Sequence, residues 1–141
     1  MSVTYTNAIS PEEYNALRSA VGWSARPIEQ ARQALNGSAF TVTACCADRA
    51  VGIARALCDG GDSALIKDVM VLPDYQRQGI GLELMSRIME FLHGQLNPGW
   101  DMQIELASTR GKEQFYQKFG FELRPTDRYG NGMVMRINQS E

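Results

Sequence analysis

The chain has 141 residues, enough for one packed domain and too few for a second independent core, so a single domain over residues 1–141 is expected. Hydrophobic residues make up 44% and charged residues 21%, ordinary globular proportions that give no case for disorder or a fibrous repeat. Net charge is −2, and the 14 Lys and Arg are scattered along the chain, which argues against a nucleic-acid surface, where phosphate neutralisation needs clustered cations. No apolar run approaches the ~20 residues of a membrane span, and the N-terminus MSVTYTNAIS lacks the basic and apolar regions of a signal peptide. A cytoplasmic protein with no membrane partner is expected.

Residues 3–6 alternate like a short strand. Ser10-Pro11-Glu12-Glu13 then supplies an N-cap, a proline at the first helical position and a capping-box glutamate, predicting a helix through Leu17 to about Val21. Gly22-Trp23-Ser24 breaks it. A second helix starts at Pro27, with Ile28, Ala31, Ala34 and Leu35 on one face, and stops at Asn36-Gly37. Residues 39–47 and 50–58 read as strands joined by a tight turn at Asp48-Arg49, and Asp59-Gly60-Gly61-Asp62 turns the chain into a third strand over residues 64–72. The middle of the sheet is an antiparallel meander.

A long helix follows Gly81, with Leu84, Ile88 and Phe91 at helical spacing and Met85, Met89 and Leu92 widening the stripe. Met102, Ile104 and Leu106 alternate with Gln103, Glu105 and Ala107 as a strand, and a strand–helix–strand succession predicts that it lies parallel to its predecessor. A last helix over residues 110–119 carries Phe115, Tyr116 and Phe119. Residues 121–124 and 133–138 give two terminal strands around a loop with Pro125. The fold class is therefore α/β of the mixed α+β kind, a mostly antiparallel sheet of about seven strands flanked by about four helices.

Cys45, Cys46 and Cys58 have neither an even count nor paired metal spacing, so neither a disulfide framework nor a metal site is expected. The only histidine, His93, sits near a helix end with no nucleophile close in sequence, which speaks against triad hydrolysis. The informative segment is Gln76-Arg77-Gln78-Gly79-Ile80-Gly81-Leu82. A strand hands the chain to a short two-glycine loop, and a long helix starts there with unpaired amides at its positive end, a site for a phosphate or pyrophosphate. No Gly-Lys-Ser/Thr follows and a third glycine is missing, so neither the Walker loop nor the dinucleotide fingerprint fits.

With these residues in place the chain resembles the GCN5-related N-acetyltransferases. Gln76, Gly79 and Gly81 match that family's Gln/Arg-x-x-Gly-x-Gly/Ala signature, and Phe115-Tyr116-Gln117-Lys118-Phe119-Gly120-Phe121 resembles its closing helix-to-strand segment. The resemblance implies a sheet splayed between the fourth and fifth strands, with acetyl-CoA as cosubstrate in the gap and no metal. It implies that backbone groups of Val69 and Val71 pair with the pantetheine arm and that an amide at Val69 or Met70 polarises the thioester carbonyl. The amides of Arg77, Gln78, Gly79, Ile80, Gly81 and Leu82 would hold the pyrophosphate.

The implied activity is transfer of acetyl to a primary amine of a small molecule by direct attack, with Tyr116 as general acid for the departing thiolate. A protein or peptide acceptor, or a non-catalytic acyl-CoA sensor, is the alternative. Asp68 and Glu105 are candidates for the general base, Asp68 being equally readable as a buried structural acceptor and Glu105 as a solvated or anchoring residue. Lys67 alternates with Asp68 and is a further cleft candidate. Trp23, with Asp127, Arg128 and Tyr129, is expected at the acceptor side, and the apolar residues 133–137 suit a homodimer contact.

Overall fold

The computed structural model describes residues 2–139, which divide into two compact units, one ending at Leu106 and one beginning at Ala107. The first unit holds the sheet. Its strands are β1 (Thr4–Thr6), β2 (Phe40–Cys46), β3 (Arg49–Cys58), β4 (Ser63–Val71) and β5 (Gln103–Leu106), and its helices are α1 (Pro11–Ala20), α2 (Ile28–Asn36) and α3 (Ile80–Gly94). The second unit holds one short helix, α4 (Glu113–Gln117). This is the mixed α/β architecture expected, with strands paired in chain order from β1 to β5, antiparallel throughout except for a parallel β4–β5 pair.

Local chemistry accounts for the elements. The Ser10 hydroxyl accepts from the Glu13 amide at 3.0 Å and caps α1, with Pro11 at its first turn. The β2–β3 hairpin turns one residue earlier than expected, on Ala47 and Asp48 at φ +52° and +62°, while Arg49 pairs with Cys46 inside the ladder. Two positive φ values in a two-residue loop match the right-handed twist of the flanking strands. Asp59 Oδ1 accepts from the amides of Gly61, Asp62 and Ser63 and so builds the β3–β4 turn.

Strand β3 is the spine. From Ala50 to Ala56 every residue is buried, on both faces, because helices cover both. Ile53 joins Tyr14, Leu17, Ala31 and Met70 in the core under α1 and α2. Gly52 points to the other face, where a Cβ would lie 3.0 Å from the Met70 carbonyl oxygen and 3.4 Å from the side chains of Ile80 and Leu84. The start of α3 can therefore press against the sheet only where β3 has no side chain. Phe91 further along α3 stacks on Phe40 of β2, with centroids 4.5 Å apart.

Two expectations are corrected. Among the described residues the sheet has five strands, not about seven: residues 121–124 and 133–138 enter no ladder. The apolar pattern there reports what a strand would bury, but a strand exists only against a partner, and Met133, Val134, Met135 and Ile137 are exposed. The last helix is also shorter, because Thr109 and Lys112 spend their backbone groups on a turn before it: the Lys112 amide donates to Thr109 O at 3.1 Å.

Replacing Gly52 with Val should cost about 1–3 kcal/mol of stability by overpacking. Urea unfolding followed by circular dichroism checks this, and a wild-type midpoint would mean that α3 does not rest on that glycine.

Candidate active site

β4 and β5 pair only from Ser63–Gln103 to Ile66–Leu106. Beyond that point β4 runs on through residues 67–71, past the end of β5 at Leu106, and among the described residues no strand pairs with that flank. On its other side β4 carries a bulge. Between the pairs Ile53–Met70 and Arg55–Lys67, one β3 residue, Ala54, faces two β4 residues, Asp68 and Val69. Asp68 makes the bulge at φ +57°, a conformation that costs a residue with a Cβ on the order of 1 kcal/mol.

The side chain of Asp68 holds that geometry. Its Oδ2 accepts from Tyr14 Oη at 2.5 Å and from Arg55 Nε at 2.6 Å, and Oδ1 lies 3.7 Å from Arg18 Nη1. The carboxylate is only 7% exposed and the two guanidinium side chains 10% and 9%, a buried three-charge cluster. Arg55 Nη1 also donates to Ala34 O and Ser38 Oγ at the end of α2, and Arg18 Nε donates to Ser24 O. Burial, then the bond to Asp68, raises the Tyr14 phenol above its ordinary value, so it stays a donor. α1, the segment after it, α2 and β3 all converge on one bulge. Of the two readings left open for Asp68, these contacts suit the structural acceptor, since both oxygens are held by buried donors and cations.

The loop after β4 begins with a 3-10 turn, Pro73–Tyr75. Gln76 Nε2 donates to Val71 O at 3.0 Å and Gln78 Nε2 to Asp74 O at 3.4 Å, which braces the loop. Arg77 and Gly79 take φ +64° and +83°, and Gly79 is the N-cap of α3 with no side-chain cap. The first helical amide with a carbonyl partner is that of Glu83, which donates to Gly79 O at 3.0 Å. Among the described residues nothing accepts from the amides of Ile80, Gly81 or Leu82. Left-handed backbone at Gly79 turns the chain so that these donors gather at the positive end of a fifteen-residue helix.

The remaining candidates fall as follows. Val69 and Val71 are half-buried and Met70 is core. Lys67 and Glu105 are exposed, with Glu105 Oε1 accepting from Gln103 Nε2 at 3.1 Å. Trp23 is half-buried against the Tyr14–Leu17 core, and the Arg18 guanidinium lies 5.5 Å from its ring centroid. It therefore packs beside the Asp68 cluster. Tyr116 belongs to the second unit, 9% exposed, edge-on to Phe115 and Phe121, and burial raises its phenol above the usual value. Arg124 and Arg128 sit over the Tyr129 ring in that same unit. Asp127 is exposed there.

The site comprises an unpaired strand flank leading into an uncapped helix start. The family model described as an acetyltransferase (GNAT) domain matches residues 37–123, from before β2 past the end of α4. This chain belongs to the GNAT acetyltransferases. It is 32% identical over 124 residues to the uncharacterized N-acetyltransferase ycf52 of Porphyra purpurea, covering 85% of this chain and 69% of that one. It is 36% identical over 117 residues to a ycf52-like N-acetyltransferase of Prochlorococcus marinus, with 80% and 63% covered. The chain thus spans roughly two thirds of the length of these relatives. Among solved structures, a probable acetyltransferase of Staphylococcus aureus superposes with a TM-score of 0.85 at 32% identity, covering 96% of this chain and all of that one. A GNAT-family acetyltransferase of Streptococcus pneumoniae gives 0.71 at 31% identity, covering 99% and 98%.

GNAT enzymes normally use acetyl-CoA. Among the described residues of this GNAT chain, no group of three or more His, Cys, Asp or Glu could hold a metal ion. Among them, too, no helix is long and apolar enough to cross a membrane.

The partners of Asp68 were missed in the sequence. Tyr14, Arg18 and Arg55 are ordinary helix and strand residues there, although an arginine inside Ala50-Val51-Gly52-Ile53-Ala54-Arg55-Ala56 is a signal: a guanidinium in a two-sided apolar strand needs a buried anion. Asp68→Asn should cost about 3 kcal/mol, because it leaves two buried guanidiniums facing a neutral amide. Denaturant unfolding at neutral pH checks it, and a loss under about 1 kcal/mol, the worth of an exposed pair, would deny the cluster its role.

Proposed function

We propose that this chain moves an acetyl group from acetyl-CoA to a primary amine of a small molecule by direct attack in a ternary complex. The observation that carries this is the continuous run from the unpaired flank of β4 to the uncapped amides of Ile80, Gly81 and Leu82 behind left-handed Gly79. Those amides, with the backbone of Arg77, Gln78 and Gly79, fit a diphosphate, since backbone donors at a helix start bind anions without needing a cation. Gln76 serves by bracing the loop. The flank at Val69 and Val71 has the free backbone groups that an amide-bearing pantetheine arm would pair with as an added strand.

Acetyl-CoA supplies a thioester whose carbonyl carbon is open to an amine. The residues have three tasks around it. An amide at Val69 or Met70, at the bulge, stabilises the oxyanion as the C–N bond forms. The ammonium proton leaves to water or through Glu105, Asp68 being committed elsewhere. As the C–S bond breaks, Tyr116 gives its phenolic proton to the sulfur. Its burial, which keeps the phenol protonated, supports that role. Trp23 stands in the segment between α1 and α2, where the resemblance expects the acceptor side. A cytosolic setting suits three free thiols.

A protein acceptor has one observation in its favour, 32% identity over 124 residues to the histone acetyltransferase TAP1 of Glycine max, of which the chain spans 52%. An amine panel containing small primary amines and lysine peptides, read by thiol release from acetyl-CoA, separates the two readings. Turnover on peptides alone would overturn the small-molecule acceptor.

Gly79→Glu should weaken acetyl-CoA binding at least tenfold, by forcing a side chain into left-handed backbone and placing a negative charge among the donors. Calorimetry giving wild-type affinity would remove the cradle. Tyr116→Phe should keep acetyl-CoA affinity while lowering kcat on the order of 100-fold, the usual worth of a positioned proton donor. Wild-type kcat in that variant would take Tyr116 out of the mechanism.

A further inference from the structure

The buried cluster at Asp68 does not balance in charge. Two guanidiniums, Arg18 and Arg55, face one carboxylate, with the arginine side chains 9% and 10% exposed and the aspartate 7%. Among the described residues no second carboxylate pairs with either arginine. Glu13, on the same helix as Arg18, is turned to the Ala50 amide at 3.3 Å and the Ser10 hydroxyl at 3.5 Å. A cation held out of water without its counter-charge is costly, so the surplus calls for an anion from outside the chain.

The two arginines are not equivalent. Arg55 carries the short pair, Nε to Asp68 Oδ2 at 2.6 Å, and its Nη1 is taken by Ala34 O and Ser38 Oγ. Arg18 is the looser one: Nε donates to Ser24 O at 2.7 Å, while Nη1 lies 3.4 Å from Tyr14 Oη and 3.7 Å from Asp68 Oδ1. Among the described residues no group accepts from its Nη2. The one side-chain nitrogen or oxygen among them that is sealed from solvent without a hydrogen bond is Thr43 Oγ1, so Arg18 Nη2 opens to solvent. The Tyr14 and Trp23 rings, 5.7 and 5.5 Å from the guanidinium carbon, attract the cation but bring no charge to cancel it.

Placement points the same way. Asp68 forms the β4 bulge, and the next residue is Val69, a candidate for the amide that meets the oxyanion. Neighbouring residues are about 3.8 Å apart along a chain, so a short acceptor with its amine at that thioester would bring its other end to the Arg18 edge. A carboxylate suits such an edge, because the flat guanidinium offers it parallel N–H donors and a charge-assisted bond is strong away from water.

We propose that Arg18 binds a carboxylate on the acceptor, so that the amine acetylated by this chain belongs to an amino acid. The role of the amine rests on the transfer reading above; the carboxylate site is tested without turnover. Thermal unfolding of the full chain with CoA is followed in the presence of the common α-amino acids and β-alanine, each beside its carboxamide. At least one acid should raise the midpoint by roughly 3–5 °C, and its carboxamide should leave it unchanged. Arg18→Met should lose that rise and still fold, since Arg55 stays paired with Asp68 and the exposed Ser24 carbonyl turns to water. Arg18→Lys, which keeps the charge without the flat fork, should give a smaller rise. No rise with any acid, an equal rise with the carboxamides, or a rise kept in Arg18→Met would overturn the proposal. Thiol release from acetyl-CoA over the same panel keeps the two readings apart. The acid should exceed its carboxamide about tenfold or more in kcat/KM, chiefly through KM, and Arg18→Met should erase the difference. Release from no amine, with the midpoint shift intact, would sink the transfer reading and leave the carboxylate site standing.

Discussion

A carboxylate buried in the middle of a strand has to be answered by cations, and at Asp68 the answer organises the first unit of this protein. Arg55 comes from the neighbouring strand, Tyr14 and Arg18 from α1, and the spare donors of the two arginines reach on to the end of α2 and to Ser24. Deep charge clusters are weak stabilisers compared with apolar packing, since desolvation offsets most of the attraction. They are strong determinants of place. A guanidinium half a turn away from its carboxylate would be an uncompensated buried charge, so the cluster admits one docking of the helices on the sheet.

That docking is tied to the backbone that the proposed chemistry would use. The residue whose side chain is clamped is the residue whose backbone forms the bulge, and the bulge separates the ladder with β3 from the flank that β5 leaves free. Left-handed backbone at a residue other than glycine is a small store of strain that the surroundings must over-determine. Here three side chains do so. An amide that is to meet a developing oxyanion gains from being fixed before the reaction, because no reorganisation is then required at the moment charge appears. Buried charge, costly for stability, is well spent on fixing a backbone position.

Much of this was legible in the sequence because it is local. The capping box at Ser10, the turns, the β2–β3–β4 meander and the helix opening at Gly79 are each written within a few neighbouring residues, and their positions came within a residue or two. The pairing of Asp68 was not, since Arg55 and Tyr14 lie 13 and 54 residues away and nothing in a strand pattern says which cation closes on which anion. Of the candidate site, the uncapped helix start could be read because its donors are backbone groups, set by glycine and helix polarity. The pairing of Asp68 could not be read, because it depends on side chains from two other elements, α1 and β3.

The terminal segments mark a different boundary. The pattern over residues 133–137 describes one side of a strand pair and is silent on the other. Sequence pattern describes one half of a strand pair. Within a hairpin the other half is adjacent and the reading succeeds, as it does for β2 and β3, where a two-residue turn leaves no choice of partner. After α4 no strand is found among the described residues, and the same pattern stands exposed and outside any ladder. The distinction is thermodynamic: a strand is stabilised by its neighbour, and five residues with apolar character but no neighbour remain a demand for one.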